Sequence, residues 1–466
     1  MNTGTPMPAA TPSVLLQSLA EQYAEAAAAL PDGGPGWLAE RRRAELQAAL
    51  AQGLPGSRAE AWKYVSLRGL ERRRFALSPS AGTAGEAAAG SDRLHREALD
   101  AVAGPRLAFA NGRFDASQSR LDALPEGVEC IPLSQALARP DADALLRRLF
   151  DTPAAAQPAD AFLRLNAALA QDGVVLRVAP GVAVPMPLQV VFAGEAAPEP
   201  QHWALRNLVE LGEGASLTLV ERWLDDGAAD LLANCVTDIA VADGARLCHL
   251  RLQQGGAAAS SIASTRVRVG AGAAYCPVAL DLGGSLARHA WDVELAGKGA
   301  ATTLRGVVLA AGRQQCDTRY SVVHAVGDTR SDTLWRAIAG GRARSAFHGG
   351  IHIAPGADGS DAALETKNLL MSEGAEIDAQ PVLVIEADEV KASHGATVGQ
   401  LDATALFYLR SRGIPGREAR HLLVRAFCAA VLDRACACAG ADAAQDPWPL
   451  LHAAIRERLA GIGELP

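Results

Sequence analysis

Apolar and polar residues alternate singly through most of the middle of the chain, whereas toward both ends apolar residues recur every three or four positions. The first pattern predicts strands with one buried face, and the second predicts amphipathic helices. Near the N-terminus Leu15, Leu16, Leu19, Tyr23 and Leu30 keep the helical spacing, with Thr11 placed to cap and Pro12 to open the helix. Arg41 to Ala51 continues as a second helix. Leu107 to Ala110 before Asn111-Gly112, and Val174 to Val178 before Pro180-Gly181, read as strands entering tight turns.

From there a Gly-Ala step recurs ahead of alternating residues: Gly214-Ala215, Gly244-Ala245, Gly272-Ala273, Gly299-Ala300 and Gly374-Ala375. Successive glycines lie 30, 28, 27 and 75 residues apart by their numbers, the last gap being close to three further periods. A glycine turn at such a period, followed by one apolar row, is the signature of a solenoid whose rungs bury their inner rows only by stacking. The expected fold is therefore mainly β: a β-helix (β-solenoid) core over 172–400, flanked by α-helical regions. Residues 1–171 form a mixed N-terminal region with an Ala/Gly-rich linker near 81–90, and 401–466 form a C-terminal helical domain. A β-sandwich of ordinary hairpins is the rival arrangement, and the near-constant period favours the solenoid.

In the C-terminal region Asp402 caps a helix carrying Leu406, Phe407 and Leu409 that stops at Gly413. A second helix carries Ala419, Leu422, Leu423, Ala426, Phe427, Ala430 and Val431 and ends before Gly440. A third, opened by Asp446 and Pro447, places Trp448, Leu451, Ile455 and Leu459 on one face. These helices read as a cover for the solenoid end or a docking module. Leu406, Phe407, Leu409, Leu422, Leu423 and Phe427 exceed what two short helices need for mutual packing, which marks them as a docking surface.

Composition narrows the function. The 466 residues carry 44 Lys+Arg against 52 Asp+Glu, a net charge of −8, with no basic stripe interleaved with aromatics, so nucleic acid is not an expected partner. No Lys or Arg precedes Arg41, and no window reaches the ~18 apolar residues of a membrane span, so the cytoplasm is the expected address and a membrane is not a partner. Eight cysteines without a CxxC pair indicate reduced thiols, Cys436 and Cys438 lying on a helix face. Phosphate-loop, dinucleotide, nucleophile-elbow and HExxH motifs are all missing, so nucleotide energy would come from another subunit. His348 and His352 share one face of a strand and offer a weak two-histidine metal site.

One segment is more specific: Asn368-Leu369-Leu370-Met371-Ser372, then Pro381 through Glu386, Lys391-Ala392-Ser393-His394-Gly395-Ala396-Thr397-Val398-Gly399, and Ser411-Arg412-Gly413. It resembles the SufB/SufD family of iron–sulfur cluster assembly proteins, and within it the SufD branch. Glu60-Ala61-Trp62-Lys63-Tyr64, Phe109 through Phe114 and Leu165-Asn166 extend the resemblance over nearly the whole chain. The resemblance implies a β-helix between helical regions and a non-catalytic scaffold. Its partners would be a SufB-like paralogue and a SufC-like ABC-type ATPase on the C-terminal helices, with self-pairing as a homodimer when alone. No tightly bound cofactor is implied, only transient iron or an Fe–S cluster at the subunit interface, and flavin involvement stays open. His394 matches the family's interface histidine, while Ala392 occupies the family's cysteine position, which moves sulfur acceptance to the partner. Glu386, Asp388 and Glu389 lie near on a strand end, the first two sharing a face. Two other readings stand beside this one: a SufB-like subunit that holds the nascent cluster itself, and a β-solenoid carbohydrate-active enzyme.

Overall fold

The computed structural model describes residues 13–27, 30, 36–78, 99–150, 160–225, 227–439 and 447–461. Thr11, Pro12, the 81–90 segment, Gly440 and Asp446 fall outside them. The first helix is Val14–Ala26, and the described cap is Ser13, whose side chain accepts from the Leu16 amide. Leu30 is buried beyond that helix. The second runs longer than expected, over Gly36–Gln52.

The middle is a β-solenoid of about seven turns. Two ten-stranded sheets face each other, and successive strands of the chain alternate between them. Neighbours within a sheet are one rung apart and parallel, in register: Arg246 pairs with Ala274, and Ala301 with Arg330. Alternation then sorts each strand into an inward row and an outward row. Inward rows stack into one core that includes Leu217, Leu247, Tyr275, Trp291, Leu304, Trp335, Phe347 and Leu364. Single glycines let large rings fit there: a Cβ on Gly306 would lie 1.9 Å from the Trp335 ring, which stacks on Phe347 at 4.8 Å.

The glycine repeat is real but holds two phases. Gly214, Gly244, Gly272 and Gly299 all have positive φ and precede strands of one sheet. Asp328, with φ 57°, and Gly359 continue that corner. Gly374 instead precedes Glu376–Ile385 of the opposite sheet, in line with Gly312 and Gly341. The 75-residue gap therefore crosses from one edge of the solenoid to the other.

Arg106–Ala110 also joins the solenoid, pairing in parallel with Leu188–Gly194. Asn111 and Gly112, with φ 46° and 76°, turn it back as an antiparallel hairpin onto Arg113–Phe114. Val174–Val178 does not form a hairpin with the next strand, since Leu188–Gly194 lies in the other sheet.

Of the C-terminal helices, Gly416–Ala439 and Trp448–Gly461 lie along the flank of the solenoid, not over its end, and Ala403–Ser411 packs on the first of these. The long helix buries Val424, Cys428, Val431, Leu432 and Ala435 against outward residues Leu250, Val278, Val307 and Leu334; of the expected stripe Ala419 and Val431 are buried and Phe427 packs at the margin, while Ala426 and Ala430 are exposed. Trp448, Leu451, Ile455 and Leu459 share one buried face, as their spacing requires. No described helix is long and apolar enough to cross a membrane.

Candidate functional site at the open end of the solenoid

His394 sits on the last strand, Lys391–Gly399, directly after Leu304, Thr333 and Leu364 in one inward-pointing ladder. Those three are buried, whereas His394 is exposed because no rung follows it. Val398 ends the ladder of Val308, Ala337 and Asn368 and is 45% exposed. Ala392 is half-buried on the same inward row. In the opposite sheet Ile385, 44% exposed, and half-buried Leu383 continue the inward row and complete an apolar rim around the mouth. A histidine inside a ring of valine, isoleucine and alanine, on strands with unpaired edges, suits a face that another chain completes.

The motif upstream supports this strand. Asn368 is buried, and its amide donates to Thr397 O at 3.1 Å while its Oδ1 accepts from Ala337 N at 3.1 Å, tying three rungs together. Leu369 and Met371 face outward under the C-terminal helices. Glu386, Asp388 and Glu389 lie in the turn before the last strand and so share no strand face. Glu386 engages His352 at 2.7 Å, and the amides of Asp388 and Glu389 donate to Asp358. His348 and His352 do point outward from one strand, but His348 faces Gln380 and Arg319 while His352 faces Glu386. Among the described residues no cluster of three or more His, Cys, Asp or Glu assembles a metal site.

Of the docking candidates, Phe407 is 73% exposed, with Tyr408 beside it at 56%. Leu406, Leu409, Leu422, Leu423 and Phe427 are half-buried, and Arg336 lies over the Phe427 ring. No residue of Ala403–Ser411 is buried, so this helix leaves its apolar side chains available. Gly413, with φ 88°, ends it.

The earlier motifs are structural. Trp62 stacks on Phe162, donates to Asp160 at 3.2 Å and lies under the Arg288 guanidinium at 3.8 Å, which anchors the N-terminal segment to the solenoid. Asn166 donates to Leu205 O and Asn234 O and accepts from Arg206, bridging helix and sheet.

Inspection of the sequence missed a polar set inside the solenoid, although Glu221, His249, Arg251 and Asp281 visibly break the apolar alternation of their rows. His249 contacts Tyr275 at 3.1 Å and Glu221 at 3.2 Å, and Arg251 donates to Asp281 at 2.7 Å. The Cys235 and Cys316 thiols also point inward, and burial pushes both up to about 12, which keeps them protonated and poorly nucleophilic.

Known proteins give this geometry its context. The SufBD core domain of the SUF system for FeS cluster assembly matches residues 192–427, and the SufBD N-terminal region matches 14–190. The iron–sulfur cluster assembly protein SufD of Escherichia coli is 31% identical over 386 residues, 82% of this chain and 86% of the relative. A SufBD family protein of Synechocystis is 28% identical over 82% of this chain and 84% of its own, and Bacillus subtilis SufD is 29% identical over 58% and 62%. With both family domains covering its N-terminal region and its solenoid, the chain belongs to the SufB/SufD family of iron–sulfur cluster assembly proteins.

Proposed function

We propose that this chain is a non-catalytic, SufD-type scaffold subunit of a cytoplasmic iron–sulfur cluster assembly complex, pairing with a SufB-like paralogue through the open end of its solenoid. The observation that carries this reading is the final rung, where an inward row buried everywhere else ends in exposed His394 and Val398. An imidazole placed there binds iron or a nascent cluster at the interface as transient cargo. Ala392 supplies no thiolate beside it, and the described thiols with shifted pKa are held protonated by burial, so the partner receives the sulfur. This favours a SufD-type role over a SufB-like one. The exposed Phe407 and Tyr408, with Leu406, Leu409, Leu422, Leu423 and Phe427 around them, dock a SufC-like ATPase, which provides the nucleotide site that this sequence lacks.

The test is co-purification of the full chain with the paralogue and ATPase from its own operon. Removal of residues beyond Asp402 is a poor probe, because it would strip the cover from the apolar flank of the solenoid. Phe407→Asp in the full chain should instead lose the ATPase and keep the paralogue. His394→Ala should leave the complex assembled and lower cluster yield. Normal cluster formation by that variant in an intact complex would remove the chemical role assigned to His394.

A further inference from the structure

Charged side chains on the outer faces of the solenoid pair from one rung to the next. Arg266 meets Asp238 at 2.6 Å, Arg268 meets Glu294 at 2.7 Å, Arg336 meets Glu365 at 2.8 Å and Arg344 meets Glu376 at 3.0 Å. Arg288 pairs with Asp317 in the same way. Arg319 and Asp292 break this rule. They sit on adjacent strands of one outer face and feel each other's charge, yet they close neither a salt bridge nor a hydrogen bond with any described residue.

Register places the two charges on one block of the outer face. Ala290 pairs with Arg319, and Asp292 with Ser321, so the four residues form a block with opposite charges on one diagonal and small side chains on the other. Diagonal neighbours are within reach of a long arginine, as the diagonal pairs Arg251–Asp281 and Arg336–Glu365 show, yet Arg319 and Asp292 stay apart. Gly350, in register beside Ser321, extends the low floor, and a Cβ there would meet nothing closer than 3.4 Å. All four residues of the block are half-buried, so the trough opens to solvent. The remaining charges nearby are otherwise engaged: Glu60 bonds Lys63 and Gln380, Arg266 bonds Asp238, and Asp160 caps Ala161–Leu169. His348 lies next to Arg319 in register, and burial holds it toward the neutral form.

We propose that this trough binds a small zwitterion, a free α-amino acid being the commonest compound of that class, with its carboxylate on Arg319 and its ammonium on Asp292. A planar guanidinium is matched to a carboxylate, and a half-buried aspartate gains from an ammonium. A phosphate is disfavoured by Asp292, Asp160 and Glu60 around the same floor. A simple cation is disfavoured by Arg319 and Arg266. Only a ligand carrying both signs satisfies both walls.

Glycine titrated into the full chain, followed by calorimetry or by chemical-shift changes, tests this. Saturable binding on the order of millimolar is expected, with acetate and methylamine at least ~10-fold weaker because each satisfies one wall alone. Asp292→Asn and Arg319→Gln should each weaken glycine binding by ~10-fold or more. Ser321→Leu should abolish it by filling the floor while both charges remain, and circular dichroism should show all three variants folded. Acetate binding as tightly as glycine would make the trough an anion site and overturn the proposal. So would the absence of saturable glycine binding, or binding indifferent to the three variants.

Discussion

The two ends of the solenoid meet the same physical problem and treat it oppositely. At the first rungs each sheet finishes in an antiparallel strand, Arg113–Phe114 on one and Val128–Pro132 on the other, and short helices cover the latter. The inward rows are covered there, and Phe109, packed on Phe114 and Phe192, is 1% exposed. At the last rung Glu376–Ile385 and Lys391–Gly399 leave their inward side chains exposed, and the described helices Gly416–Ala439 and Trp448–Gly461 lie on the flank instead. An exposed apolar edge is an aggregation hazard in a protein meant to stand alone. Retaining it at one end and covering the other is the asymmetry that the proposed pairing with another chain accounts for.

The largest expected effect falls on the closed body, which holds four buried imidazoles, His202, His249, His289 and His324, while the open end presents an exposed one. Burial depresses His202 and His324 to about 4 and lowers His289 well below its ordinary value. The unfolded chain binds protons below ~6.5 and the folded body does not, so stability is full above that pH and falls on acidification. Each of His202 and His324 should contribute a loss of roughly 3 kcal/mol by pH 4, at about 1.4 kcal/mol per pKa unit. Denaturant melts between pH 7 and 4 should show this, and a flat profile would contradict the burial of these rings.

Next in size, Phe109→Ala at the capped end should cost about 3–5 kcal/mol in a denaturant midpoint shift, because the ring leaves a cavity among Phe114, Phe192 and its neighbours. Val398→Asp at the open end should change the stability of the isolated chain by less than ~0.5 kcal/mol, since its position is already in water. That same change should abolish paralogue binding in a pull-down, so equal losses of stability at both ends would erase the distinction. The smallest expected effect is Ala392→Cys. Stability should stay within ~0.5 kcal/mol, and iodoacetamide should label the new thiol in the isolated chain while labelling falls once the paralogue is bound.

Much of this was legible from residues alone. The Gly-Ala steps located four corners of one edge, and the His394 segment was singled out by its motif, while the row that Ala392, His394, Ala396 and Val398 share comes from the strand register. Whether that row is covered depends on a further rung, which alternation within one strand does not report. Gly374 was assigned to the wrong edge because both edges use glycine turns, so a gap of nearly whole periods looked like one series. The stripe on Gly416–Ala439 was legible only in part: Ala419 and Val431 are buried, but in a helix with apolar residues on several sides the sheet beneath selects Val424 and Cys428 over Ala426 and Ala430. The trough at Asp292 and Arg319 was hidden because it exists only in the register between strands.

That register also governs how the chain length can change. Ala274 pairs with Ala301, Ala301 with Arg330, and Arg330 with Asp361, so successive offsets are 27, 29 and 31 residues while every strand keeps its ladder. The surplus is taken up at corners, as where Gly356 and Gly359 make two turns before Asp361. A one-residue insertion inside Ala301–Ala310 would exchange its inward and outward rows, moving Arg305 into the core and Leu304 out of it. The same insertion beside Gly312 would only enlarge a loop. Insertions and deletions in this architecture are therefore tolerated at corners or as whole rungs, and a single codon gained within a strand acts as a loss of the fold.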